Sequence, residues 1–544
     1  MLRRYQYILL AIIPLIYTWV GFHFNLLIGT YSLRNMDPEY IYFISGLGIS
    51  NGHLHLGHFD NPGTPLQMLI AATYRIFYVF RPGDNPFLED VFIHSDHYLN
   101  MANHVTNLLV SVVLLIGGIQ VMKITGNIAY ALMLQTAPFF SEITYDIAGR
   151  LIPELLMPVP VVIFTLLFLK HIYQKEDETP WIKLAFLALT AGFGLSIKMT
   201  FLPFWIVPLF IISGWKKRLI YMGLSVLAFL LIAMPVTLEI DIFYRWMRDL
   251  FIHSGTYGSG SANFIDPDSF MQNLTHLWKS TTSLFYLLLV LTGAMLLHIF
   301  LAKKETADKR LVLLSAGLLL AILLQLFIST KHYAYRYIIP TLAFMPLAGI
   351  LTFELLNRLR PSRFNKYLII AITLFAFIPG TKKQIVSAQI RTKGIGEEMA
   401  RKRNTWHHAQ SLPAEKIKII VSQAYGAPFQ DYVIAYSTAW AGPRMKDYRD
   451  VLARLYPDSY MYNTWDDNIK AFGEPFNAQK IAMDGKPVVL YLEHDTSELF
   501  ERTMLKFFHP DDPVVVTHEL IYHNPETNEG LYWLYLTPQT DPEP

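Results

Sequence analysis

Two acidic residues, Asp37 and Glu39, stand on either side of Pro38 just beyond the first long apolar run of the chain. A charge such as Asp at mid-bilayer costs about 2.5–3.5 kcal/mol, so carboxylates this close to a hydrocarbon boundary are usually partnered or used in chemistry. A carboxylate so placed can accept a proton from a reacting hydroxyl. A third acid, Asp60, lies in the stretch Gly52 to Leu66, whose turn formers can carry it back toward the first two without a regular element. Cations are also available: Lys331 and Arg336 in the basic, aromatic run Lys331-His332-Tyr333-Ala334-Tyr335-Arg336-Tyr337, which leads into a proline-bearing apolar segment. Such groups stabilise developing negative charge, Arg with two parallel donors. Plainer readings stand beside these. Asp-Pro-Glu is a good helix start, Asp60 before Asn61-Pro62 fits an Asx turn, and Lys331 and Arg336 can snorkel to a membrane surface.

The elements that must position these groups are membrane spans. Of 544 residues, 53% are hydrophobic and 16% charged, and the mean hydropathy is +0.30, beyond what a soluble chain of this length carries. Apolar stretches near 7–28, 104–122, 127–141, 151–170, 183–197, 201–214, 219–237, 283–301, 311–328, 338–356 and 367–380 predict about eleven spans. The first is read as a retained span, since its apolar run is long and no small-x-small cleavage site follows. Arg3, Arg4, Lys123, Lys170, Lys175, Lys216, Lys217, Arg218, Lys303, Lys304, Lys309, Arg310, Arg358, Arg360, Arg363 and Lys366 all fall in loops of one side. The positive-inside rule makes that side cytoplasmic. Two long loops, 29–103 and 238–282, and everything after about residue 381 then lie on the opposite face. The net charge of +2 says nothing in total, and the absence of cysteine excludes disulfides, thiolate metal sites and thiol nucleophiles.

After residue 380 the pattern changes to strand-length apolar runs with interspersed charge: Lys416 to Val421, Pro487 to Leu492, Val514 to Val516 and Leu531 to Leu536. Met445 to Leu455 and Thr496 to Phe507 carry helical spacing between them. This predicts a soluble α/β domain over 381–544 behind a transmembrane domain over 1–380. No nucleotide-binding glycine pattern occurs in it, so a helper role in acceptor recognition or loop stabilisation is expected. In the first outer loop, Tyr40 to Leu47 and Leu66 to Phe80 read as amphipathic helices lying in the membrane interface. Glu142, Asp146, Arg150 and Glu154 form a further charged cluster, in which Arg150 pairing with Asp146 or Glu154 at helical spacing is the simplest reading. His53, His55, His58, His94 and His97 lie near Asp60 and Asp96, but their spacing matches no standard zinc site, and no metal site is assigned. The second outer loop holds Arg245 and the run Gly255-Thr256-Tyr257-Gly258-Ser259-Gly260-Ser261, flexible enough to close over bound substrates or to serve as a plain linker.

Four patterns, in order along residues 1–380, carry a resemblance: Asp37-Pro38-Glu39-Tyr40 with Gly46 and Gly52; Phe59-Asp60-Asn61-Pro62-Gly63-Thr64-Pro65-Leu66; Gly194-Leu195-Ser196-Ile197-Lys198; and Lys331 to Pro340. Together with span count and sidedness, they resemble the GT-C superfamily of membrane glycosyltransferases, in particular the protein O-mannosyltransferases and lipid A aminoarabinose transferases. Pro38 between the two acids departs from the commoner adjacent pair.

The resemblance implies a polytopic α-helical GT-C fold and transfer of a sugar from a polyprenyl-phosphate donor to a hydroxyl of a protein, lipid or glycan acceptor. The transfer would occur on the non-cytoplasmic face of a membrane, here a bacterial inner membrane. It implies Asp37, Glu39 and Asp60 as catalytic carboxylates and Arg336, Lys331 and Lys198 as donor-phosphate ligands, with Tyr40, His58, Arg245 and Tyr257 in substrate loops. No cofactor is required by that chemistry and no nucleic-acid partner is expected; a divalent ion is a lesser alternative. A transporter or lipid-linked sugar flippase would place charge at the midplane and show inverted repeats, and neither is found. A non-catalytic assembly protein would not need eleven spans as an anchor.

Overall fold

A computed structural model of the chain describes residues 2–34, 38–57, 62–81, 83–174, 179–254, 260, 262–302, 308–359, 363–413, 415–423, 427–438, 441 and 445–539; within these, side chains of 2–6, 33–34, 142, 335, 363–384, 391, 395 and 445–447 are left aside. By its contacts the chain forms two compact units. The first gathers Met1–Leu26, Phe59–Leu69 and Asn103–Ile390; the second gathers Leu27–His58, Ile70–Ala102 and Arg391–Pro544. Much of the first outer loop therefore belongs to the same unit as the C-terminal part, where a simple cut at residue 380 would separate them.

The first unit is helical, as its apolar composition dictates: in a bilayer every backbone polar group must find a partner within its own segment. Six described helices are long and apolar enough to cross a membrane: Tyr7–Ile28, Ser95–Thr125, Pro153–Tyr173, Thr282–Leu301, Lys309–Lys331 and Arg336–Leu359. The chain is an integral membrane protein. Of the other expected spans, 183–197 and most of 219–237 fall in the shorter helices Trp181–Ile197 and Trp215–Ile232, 367–380 lies within the 49-residue helix Arg363–Ser411, and two are broken. The stretch 127–141 is a helix Ile128–Gln135 followed by a single turn at Pro138. At 201–214 the chain makes three short helical pieces with prolines at 203 and 208. Proline removes a donor and clashes with the preceding turn, which accounts for those breaks.

Small residues let these helices approach closely. A Cβ on Gly192 in the helix Trp181–Ile197 would lie 2.7 Å from the Phe229 nitrogen and 2.8 Å from the Ser225 oxygen of the helix Trp215–Ile232, a backbone contact of the kind that holds membrane helices together. The helix Arg336–Leu359 is buried along its whole apolar length, and its polar groups gather at its two ends. Near its C-terminus Glu354 accepts from the hydroxyls of Tyr130 (2.8 Å) and Tyr173 (2.7 Å), while Arg358 pairs with Asp308 and Glu354. At a rise of about 1.5 Å per residue, this cluster lies roughly 30 Å along the helix from Arg336, so the two ends carry independent polar sites.

The second unit is built on a six-stranded mixed sheet of β1 (Ile417–Ser422), β2 (Ser459–Asn463), β3 (Asn468–Ala471), β4 (Val488–Leu492), β5 (Val514–Asn524) and β6 (Glu529–Pro538), in the order β3-β2-β1-β4-β6-β5. β1 pairs in parallel with both β2 and β4; β3, β5 and β6 run antiparallel to their neighbours. Alternation along the central strands gives each face its own job. Ile417, Ile419, Val421, Val488, Leu490 and Leu492 enter a core with Ile481 and Phe507, contributed by the helices Ala478–Asp484 and Ser497–Phe507. All four predicted strands and both predicted helices are present.

The helix Glu39–Ser50 differs from its expected role. Ten of its twelve residues are buried, so it has no wet face and does not lie amphipathically in an interface. It is enclosed within the second unit, near Tyr448 and the helix Gln430–Thr438. The helix Thr64–Phe80 does present an apolar exposed stripe at Met68, Ile76, Val79 and Phe80, as an interfacial helix would.

Within this unit Lys418 of β1 forms an ion pair with buried Asp431, which also accepts from the Ser459 hydroxyl at 2.8 Å. Burial pushes the Asp431 carboxyl up, but the Lys418 charge and these hydrogen bonds outweigh it and hold the group below its ordinary value. A carboxyl depressed on folding contributes stability that is present above its unfolded pKa of about 3.9 and is lost as pH falls through the lower folded value. Thermal melts between pH 5 and pH 3 should therefore show a steeper loss for wild type than for Asp431→Asn; equal slopes would remove Asp431 from the acid response.

Candidate functional site

In the first unit a buried ionic cluster joins three distant parts of the chain. Glu154 sits in the single turn Pro153–Leu156, with Pro153 at the first helical position. The loop before it is fixed by buried asparagines. Asn103 donates to the carbonyls of Ala148 (3.2 Å) and Arg150 (2.8 Å), Asn107 to Ala148 (2.9 Å) and Asn25 to Gly149 (3.3 Å). Such bonds hold a loop at low conformational freedom because leaving any of these carbonyls dry and unpaired would be costly.

Lys198 follows the helix Trp181–Ile197 directly, and its extended backbone ends that helix. Gly194 explains the motif around it: a Cβ there would fall 2.4 Å from the Phe201 ring, so the chain can turn back after Lys198 only over glycine. The Gly63 N–H donates to the Ile197 carbonyl at 3.2 Å, tying the Pro-Gly turn that follows Asp60 to the residue preceding Lys198. Arg336 lies in the single turn Tyr335–Ile338, pinned by the Gln325 amide donating to the Tyr337 carbonyl at 2.7 Å.

The three side chains converge. Lys198 donates to Glu154 Oε1, and Arg336 Nε lies 3.4 Å from the same oxygen. Glu154 is 1% exposed and Lys198 3%, and the Lys198 ammonium stands 4.8 Å from the Tyr337 ring centroid. Two cations thus stand beside one buried carboxylate oxygen, and the second oxygen of that carboxylate, Oε2, is buried as well and accepts no hydrogen bond from the described residues. That combination suits a bound anion bearing hydroxyl groups.

The structure thus brings together Lys198 and Arg336 of the predicted set. Lys331 is engaged elsewhere in the same unit: its ammonium donates to the carbonyls of Leu250 and Phe251, both at 2.8 Å, alongside His332, which bonds Leu250 O at 2.7 Å. Both residues cap the end of the helix Ile240–Ile252, a favoured place for cations. Arg245 projects from that helix with an exposed side chain. Glu39 and Tyr40 are buried in the second unit, where the Tyr40 hydroxyl meets Ser95 Oγ at 2.9 Å. Asp37, His58, Asp60 and Tyr257 lie outside the described residues.

Glu154 is the residue that sequence reasoning passed over by assigning it to Arg150. Its described partners are Lys198 and Arg336 instead. The available signal was an acid one position inside a proline-led span, where an unpaired charge would not be tolerated. Among the described residues no group of three or more potential metal-ligating side chains occurs.

No protein-family model matches the chain, and no curated protein matches it. Solved structures do. ArnT from Cupriavidus metallidurans bound to undecaprenyl phosphate aligns over 96% of this chain and 98% of its own, with a TM-score of 0.50 and 11% identity. The same protein in the apo state aligns over 93% and 96%, again at 0.50 and 11%. The archaeal oligosaccharyltransferase AglB from Archaeoglobus fulgidus, in complex with an inhibitory peptide and a dolichol-phosphate, aligns over 92% of this chain and 71% of its own at 12% identity, with a TM-score of 0.44 that bears no weight. The ArnT likeness runs nearly end to end and shows that this chain shares the fold of that protein.

Proposed function

We propose that this protein is a membrane glycosyltransferase that moves a sugar from a polyprenyl-phosphate donor to an acceptor hydroxyl on the non-cytoplasmic side of a bacterial inner membrane. The observation that carries the reading is the buried Glu154–Lys198–Arg336 cluster, set in a fold like that of a protein solved with undecaprenyl phosphate. The cations suit the donor phosphate, and the open Glu154 oxygen suits a sugar hydroxyl.

In the proposed reaction Asp37 takes the proton of the acceptor hydroxyl as its oxygen attacks the anomeric carbon. The bond from that carbon to the phosphate oxygen breaks, and its electron pair leaves with the phosphate. The phosphate goes from about −1 toward −1.5 to −2 near neutral pH, so Arg336 and Lys198 hold the transition state more strongly than the ground state. A single displacement inverts the anomeric centre. Glu39 and Asp60 are the other carboxylates assigned to the reaction, and Lys331 serves it indirectly by capping the helix Ile240–Ile252 within the second outer loop. Arg245, Tyr257, His58 and Tyr40 belong to the segments proposed to surround the substrates. No cofactor enters these steps.

The test is release of polyprenyl phosphate from a panel of polyprenyl-phosphate sugars by detergent-purified protein, with membrane extract supplying acceptors. Release from one or a few donors is expected and names the sugar. Silence across the panel with extract present would favour transport or scaffolding.

A further inference from the structure

The second unit contains a cavity of about 720 Å³ that the transfer chemistry above does not use. This falls within the roughly 300–1,000 Å³ typical of small-molecule sites. Its floor is the sheet face opposite the apolar core, at Lys418 and Ile420 of β1 and Val489 and Tyr491 of β4. Its wall and rim come from the last turns of the helix Arg363–Ser411, with Arg403 and Gln410 exposed.

The lining divides into committed and uncommitted groups. Both carboxylates are already used. Asp96 accepts from the Ser32 N–H at 3.0 Å and the Ser32 hydroxyl at 2.5 Å, and Asp431 is held by Lys418 and Ser459. By contrast, among the described residues the Tyr456 hydroxyl, the Gln410 amide and the Trp406 indole N–H make no hydrogen bond, and Arg403 meets no acid. Lys416 adds a second cation at the wall, its ammonium on the carbonyls of Leu412 and Pro413. What is left open is thus the polar edges of two aromatic rings, an amide and a guanidinium; the Tyr456 ring packs on Phe472 at 5.8 Å with the Lys418 ammonium 6.0 Å from its centroid, and the Trp406 ring meets His407 at 4.9 Å.

We propose that this cavity binds an anionic saccharide, with Trp406 and Tyr456 as contact surfaces, Gln410 bonding hydroxyls and Arg403 holding the acidic substituent. A sugar ring presents C–H faces for aromatic contact and hydroxyls that both donate and accept, which is what this mixture of groups can satisfy at once. A lipid chain would leave the polar edges unpaired at a cost in affinity, and a bare phosphate would leave the aromatic surfaces unused. Its service as the handle for a glycan acceptor rests on the transferase reading; its binding does not.

Ligand-observed NMR on the full chain in nanodiscs tests this with three probes: a tetrasaccharide alternating glucuronate and N-acetylglucosamine, neutral chitotetraose, and inorganic phosphate. Saturation transfer to the acidic tetrasaccharide is expected, at least fivefold weaker to chitotetraose, and reduced at least tenfold by Arg403→Gln and by Trp406→Ala. Melting curves verify that both variants are folded; Arg403 is exposed, so its variant stays informative if Trp406→Ala is not. Binding of phosphate equal to that of the tetrasaccharide, tetrasaccharide binding insensitive to Arg403→Gln, or no transfer to any probe would each overturn the proposal. Polyprenyl-phosphate release measured on the same preparation separates the two readings: release without saccharide binding overturns this one alone, and binding without release overturns the transferase.

Discussion

An Arg336→Gln variant is expected to release polyprenyl phosphate about a hundred- to a thousandfold more slowly than wild type, the usual effect of removing one donor aimed at developing charge. The argument starts from geometry. Arg336 Nε lies 3.4 Å from a carboxylate that also receives Lys198, so the guanidinium is preorganised before any donor arrives. Gln keeps hydrogen-bonding ability but no charge, and the loss should fall on turnover more than on donor affinity, because phosphate charge grows in the transition state. Arg336→Lys should recover part of it, retaining the charge while losing the planar fork. The companion variant Glu154→Gln should act mainly on stability. It takes the carboxylate away from buried Lys198 and half-buried Arg336, and breaking a buried pair from one side costs about 3–5 kcal/mol, read as a lower melting temperature in detergent. A folded Arg336→Gln protein with wild-type release would place the cluster outside the reaction.

How much of this was legible in the sequence depends on the range of the interaction that fixes each feature. The strands at 417–422 and 488–492 and the helix Met445–Leu455 follow from local periodicity, and all were read correctly. The spans with long unbroken apolar runs were equally plain, whereas 127–141 and 201–214 are broken by prolines that a hydropathy count passes over. The helix Glu39–Ser50 was found but misjudged. Its expected wet face is absent: Glu39 and Ser45 are buried, and the helix packs against Gln430–Thr438, roughly four hundred residues away in sequence, which no local pattern reports. The gathering of the first outer loop with the C-terminal part is of the same kind.

The site shows the same division. Lys198 and Arg336 were legible because each follows a motif with a structural reason: Gly194 admits the Phe201 ring, and the turn before Pro340 is pinned by Gln325. Glu154 was not, because Arg150 offered it a nearer partner in sequence, while its described partners lie 44 and 182 positions further on. Lys331 depends on longer-range packing as well. Its place in a basic loop suggested a ligand contact, and the structure gives its ammonium to two helix-terminal carbonyls instead.

The second large effect is expected at Asp37. An Asp37→Asn protein should lose about 10²- to 10⁴-fold in polyprenyl-phosphate release, the usual contribution of a positioned general base, while its melting temperature stays near wild type because the change is isosteric. The anomeric configuration of the product gives an independent reading. Transfer by a single displacement with Asp37 as base yields inversion, observed by NMR of the glycosylated product; retention would require a carboxylate close enough to form a covalent glycosyl intermediate. The two readouts divide the outcomes. Inversion with loss in the Asn variant places the proton on Asp37. Inversion with activity preserved moves the base to Glu39 or Asp60, the other carboxylates assigned to the reaction, and the same substitution at each then decides between them. Retention would exclude the single-displacement mechanism and make one of these carboxylates the nucleophile, with the Arg336 prediction unchanged, since the phosphate leaves with the same charge in either case.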